Sequence, residues 1–165
     1  MDNYDLKKQH QKLIKLIEDT QLFTHGDMEL QGHWGKYLCV LVSGFLENAI
    51  STVYIDFVSN AAAPHIVQYA SKHLDKIQNP KSKKFVEVAS QFKKEWGSDL
   101  EKFFSDYPEY KEAIDSIMSN RHQVAHGKNT SISVHRVRDC LEKSVCVIEF
   151  IENQCSNRTI TVRSQ

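Results

Sequence analysis

Residues 37–57, YLCVLVSGFLENAISTVYIDF, set Tyr37, Leu38, Leu41, Val42, Phe45, Leu46, Ala49, Ile50, Val53, Tyr54 and Phe57 three and four places apart. That recurrence is the helical period, and a face this wide over about six turns predicts a central helix with neighbours on several sides. Outward from it, three prolines and six glycines in 165 residues leave little punctuation, and the apolar spacing stays at three and four. A first helix is expected over roughly 4 to 20, on Leu6, Leu13, Leu16 and Ile17, followed by a polar loop with a short turn from Gln21 to Gly35. Pro64 opens a helix to about Ile77, and Asn79-Pro80 closes it. Ser82 is expected to cap the next, which Trp96-Gly97 ends. A short helix from Asp99 to Tyr107 precedes Pro108. Another runs from near Glu109 to a stop at Gly127. The last starts at a Ser131 or Ser133 cap and reaches about Gln154. The expectation is all-α: an up-and-down helical bundle, one domain over 1–155, with residues 156–165 a loose tail.

Lysine plus arginine (21) balances aspartate plus glutamate (21), so bulk positive charge is excluded as a means of holding nucleic acid, and any polyanion site must be local. No stretch reaches the roughly 20 apolar residues of a membrane span, and MDNYDLKKQHQK is too polar for a signal peptide. A cytoplasmic protein that needs no membrane is expected. Cys39, Cys140, Cys146 and Cys155 form no Cys-x-x-Cys pair and read as structural thiols. The sequons at Asn129 and Asn157 would matter only in a secreted chain.

The chemistry concentrates in Asn120 to Gly127, NRHQVAHG. Continuing the inward stripe Ile114, Ile117, Met118 by three or four places lands on Arg121, and a guanidinium on an apolar face needs a carboxylate or an anionic ligand. His122 and His126 follow, four apart. In the central helix Ser43, Gly44, Glu47 and Ser51 make a narrow polar strip. There Gly44 would allow close helix approach, and Glu47 could orient Arg121.

The Arg-x4-His pattern, with a polar residue after the arginine and a helix end after the second histidine, resembles the signature of the HEPN superfamily. The likeness extends to order and proportion over most of the chain, and the branch fused elsewhere to RiboL-PSP domains is nearest. Histidine follows the arginine here where many members have asparagine. The resemblance implies a two-fold homodimer in which Arg121 holds a phosphate, His126 does acid-base work and His122 assists, with Asn120 and Glu47 supporting, and in which RNA is cleaved without a metal or other cofactor. Such chemistry suits the residues: an imidazole titrates near neutrality and can take and return a proton, and a guanidinium stabilises charge growing on phosphate oxygens. A ribose 2′-hydroxyl would attack, leaving a 2′,3′-cyclic phosphate and a 5′-hydroxyl.

Blander readings stand beside these. Arg121 could form a structural ion pair with Glu47, and His126 could be a helix C-terminal histidine favoured by the macrodipole. Lys83 and Lys84, with Lys81, read as a solvated face or as RNA-backbone contacts. His25 and His33, with Asp27 and Glu29, lack the spacing of a tetrahedral zinc site. The resulting expectation is a metal-independent endoribonuclease, a toxin or phage-defence effector acting on RNA and held by an antitoxin or other defence-system partner. The alternative is a non-catalytic RNA- or nucleotide-binding or protein-interaction module.

Overall fold

A computed structural model describes residues 1–128 and 130–156. The expected tail beyond Ser156 and the sequon positions Asn129 and Asn157 lie outside the described residues. Among the described residues the chain forms seven helices: α1 (Tyr4–Phe23), α2 (Met28–Ser59), α3 (Pro64–Leu74), α4 (Ser82–Phe92), α5 (Lys94–Asp106), α6 (Pro108–Ala125) and α7 (Val134–Cys155). The all-α bundle with a long central helix is therefore the observed fold.

Helix α2 is the axis, lying against α1, α3, α6 and α7, while α6 also packs on α7 and α4 pairs with α5. Its Leu38, Val42, Leu46, Ala49, Ile50 and Tyr54 are wholly buried, facing Ile114, Ile117 and Met118 of α6 and Val137, Leu141, Ile148 and Ile151 of α7 in one core. By length and apolar content α2 could cross a membrane, unlike the shorter run read from the sequence, yet most of its apolar window is buried against its neighbours. Aromatic rings fill the end of the bundle by α4 and α5, with Tyr54 stacked on Phe92 at 4.5 Å and Phe57 edge-on to Trp96 at 5.1 Å. Phe103 and Phe104 are buried.

Three expectations are corrected. The segment before Gly35 is not a loop: Asp27 accepts the Leu30 N–H at 2.9 Å, and this cap starts α2 at Met28. The glycines Gly32 and Gly35 obscure that start in the sequence. Trp96-Gly97 does not end a helix, because the break falls at Lys93 and both residues sit in the first turn of α5. Gly97 is there because a Cβ would come within 1.7 Å of the Ser90 hydroxyl on α4. Ser82 does not cap α4. It is the first helical residue, and its N–H and hydroxyl both donate to Asp115 of α6, at 2.8 and 2.9 Å.

The close approach expected at Gly44 occurs instead at Gly35. Gly44 has open space around its Cβ position, whereas a Cβ on Gly35 would lie 1.9 Å from the Ile132 carbonyl oxygen. That contact seats the connection between α6 and α7 against the central helix.

Candidate functional site

The C-terminus of α6 is closed in a defined way. Gly127, at φ +64°, takes the left-handed conformation that glycine adopts without a Cβ clash. It turns the chain so that its N–H donates to the Val124 carbonyl at 3.1 Å and the Lys128 N–H to the Gln123 carbonyl at 2.9 Å. This paired closure is the Schellman motif, and it puts His126 at the C-cap. The His126 imidazole is exposed and lies against the exposed His122 ring, centroids 4.4 Å apart and edge to face. The i, i+4 spacing thus brings the two histidines together.

Arg121 is partly buried where α6 crosses α2. Its backbone N–H faces the Cys39 thiol, which donates to the Ile117 carbonyl at 3.4 Å. Burial, reinforced by the neighbouring Cys140, pushes the Cys39 thiol up to about 12, so it serves there as a neutral packing group. Cys140 is likewise buried, whereas Cys146 is exposed.

The expected Glu47–Arg121 pair is not formed. Glu47 accepts the Asn79 N–H, and its neighbour Ser51 donates to the Leu74 carbonyl at 3.1 Å. The polar strip of α2 therefore faces the α3–α4 connection rather than Arg121. Among the described residues no carboxylate lies within 4.0 Å of the guanidinium. A half-buried cation left this way retains its capacity for an anion.

Asn120 has a structural task. Its amide donates to the Ser116 carbonyl at 2.8 Å, and its Oδ1 accepts from the Thr130 hydroxyl, tying the connection back onto α6. Sequence reasoning placed Asn120 at the site but missed Thr130 and Gly35, which hold the same segment. Lys84 is paired with Glu87 at 2.6 Å on its own helix, and Lys83 is exposed on α4. Lys81 instead lines a cleft with His122. His33 lies 4.0 Å from Glu29 on the first turns of α2.

The fold and site define an all-helical domain with an Arg-x4-His segment at the end of a core helix. A family model described as RiboL-PSP-HEPN matches residues 2–157, and the chain belongs to that family. Neither the comparison with curated proteins nor that with solved structures returned a match.

Proposed function

We propose that this protein is a metal-independent endoribonuclease whose site is completed across a two-fold dimer. The observation that carries the reading is the fixed end of α6, where an exposed imidazole at the C-cap stands beside a second imidazole and close in sequence to a guanidinium without a carboxylate partner among the described residues. Arg121 would hold the scissile phosphate and stabilise charge on its oxygens. His126 would take the proton from the 2′-hydroxyl, and a second His126, from the other copy, would give one to the departing 5′-oxygen. His122 lies beside His126, with ring centroids 4.4 Å apart.

Support for the dimer comes from helix geometry and an apolar surface. Five helical residues turn the chain roughly 140° past a full rotation, so Arg121 and His126 leave α6 in different directions, and a second copy can supply the complement. Phe23, Trp34 and Tyr37 form an edge-to-face row at 5.1 and 5.4 Å. Phe23 of α1 and Tyr37 and Val40 of α2 are exposed around the partly buried Trp34, an apolar surface that a second copy could cover.

Incubating the protein with single-stranded RNA in EDTA, beside Arg121→Ala and His126→Ala, tests the reading. Cleavage by the parent and by neither variant is expected. RNA bound with no cleavage would leave the non-catalytic binding module as the function. A toxin or phage-defence role, with a cognate antitoxin or other partner, is the setting we propose for such an activity.

A further inference from the structure

Beside the histidine pair, Asn79, Lys81, Ser119, His122, Gln123 and Lys128 line an open cleft of about 590 Å³. Its size falls within the range of about 300 to 1,000 Å³ typical of small-ligand sites. One wall is the C-terminal turn of α6. The other is the connection between α3 and α4, and both walls are fixed. Glu47, projecting from α2, accepts the Asn79 N–H and holds that residue at φ +48°, an uncommon conformation for a residue with a side chain. Asp115 grips Ser82 through two hydrogen bonds just beyond Lys81. Across the cleft, the Schellman closure fixes the backbone of Lys128 on Gln123.

The lining chemistry divides in two. Lys81 and Lys128 are exposed ammonium groups with no carboxylate partner among the described residues. Asn79, Gln123 and Ser119 offer amide and hydroxyl groups that can donate and accept. The Asn79 Oδ1 is a buried acceptor with no donor among the described residues, and such an atom is costly to leave unmet. His122 belongs both to this cleft and to the histidine pair, so whatever occupies the cleft lies next to the candidate cleavage centre.

We propose that the cleft is the subsite for the nucleotide flanking the scissile phosphate of a single-stranded RNA, with Lys81 and Lys128 on its backbone phosphates and Asn79 and Gln123 on the base edge. The proposal rests on the ribonuclease reading for the word flanking, and on the cleft itself for the binding. Single-stranded RNA suits it because an unpaired base can be splayed into a pocket and read at its edge.

The test measures binding and cleavage separately. Binding uses an RNA oligonucleotide with 2′-O-methyl riboses, which cannot be cut by 2′-hydroxyl attack, titrated with the parent, with Lys81→Ala/Lys128→Ala, and with Lys7→Ala/Lys8→Ala as a charge-matched control on α1. Each phosphate contact of a single strand contributes about 0.7 to the slope of log affinity against log salt. The cleft variant is expected to bind at least roughly tenfold more weakly, with a slope shallower by about 1.4, while the control keeps the parent's slope or nearly so. Asn79→Ala is expected to reduce discrimination among the four bases at the bound position. If the parent cleaves unmodified RNA through Arg121 and His126 while the cleft variant binds and cuts as the parent does, the cleft proposal is overturned and the ribonuclease reading survives. If RNA binding depends on Lys81 and Lys128 but no protein cuts RNA, the binding subsite stands and the nuclease reading falls. A parent that does not bind RNA overturns both.

Discussion

His126 and Gly127 are neighbours with opposite sensitivities. The His126 imidazole is exposed at a helix C-cap, so His126→Ala should cost no more than about 0.3 to 1 kcal/mol, the scale of a dipole interaction at an exposed site. It should leave the melting temperature within a few degrees of the parent's and abolish cleavage. Gly127→Ala puts a Cβ on a residue at φ +64°, which costs roughly 1 to 2 kcal/mol, and it strains the closure that fixes His126 and Lys128. Melting both variants and assaying them on the same RNA separates the roles: a Gly127→Ala protein as stable as the parent would contradict the closure argument. Arg121 and His126 stand out as candidates at this scale because residue type and spacing mark them. The partner of Glu47 was not, since a period of three and four fixes which face a carboxylate shares but not which neighbour that face meets.

Two glycines three places apart in α2 show how an element is positioned. Gly32→Ala meets nothing within 4 Å and should stabilise the helix by up to about 1 kcal/mol through propensity. Gly35→Ala makes the same gain but drives its Cβ into the Ile132 backbone, so it should lower the melting temperature and weaken cleavage by shifting the segment that follows His126. Equal effects from the two substitutions would contradict the packing described. Helix α1 adds a pH dependence. Burial lowers the pKa of His10, only partly offset by Glu149 and Glu142, and its ring faces Phe45 at 6.1 Å. The folded state then binds fewer protons than the unfolded one, so stability is full above the ordinary histidine value of 6.5 and is lost as the pH falls from there through the lower folded value. His10→Leu should flatten that part of the stability profile, measured by denaturant titration from pH 7.5 downward; an unchanged slope would contradict it. Seven helices and the buried face of α2 could be read from periodicity, because burial enforces it. The start of α2 and the α4–α5 break could not, since in both places glycines tolerated for close packing stand where a sequence signals a stop.

At the scale of the whole molecule, Phe23, Tyr37 and Val40 leave an apolar surface exposed around the partly buried Trp34. Tyr37→Asp with Val40→Asp, both at exposed positions, should leave the fold intact and convert a dimer to monomer in sedimentation, with cleavage lost in parallel. A monomeric parent that cleaves RNA would remove the shared site. Family membership and fold do not by themselves assign a reaction, because function resides in the site. The central claim is that Arg121 and His126 direct a 2′-hydroxyl onto its own phosphodiester, and the most direct measurement is the chemistry of the ends left on a cut RNA. Mass spectrometry of products formed in EDTA should find 2′,3′-cyclic phosphates and 5′-hydroxyls from the parent and no products from His126→Ala. Cleavage that requires a divalent ion, leaves 5′-phosphates, or proceeds at the parent rate in His126→Ala would contradict the account.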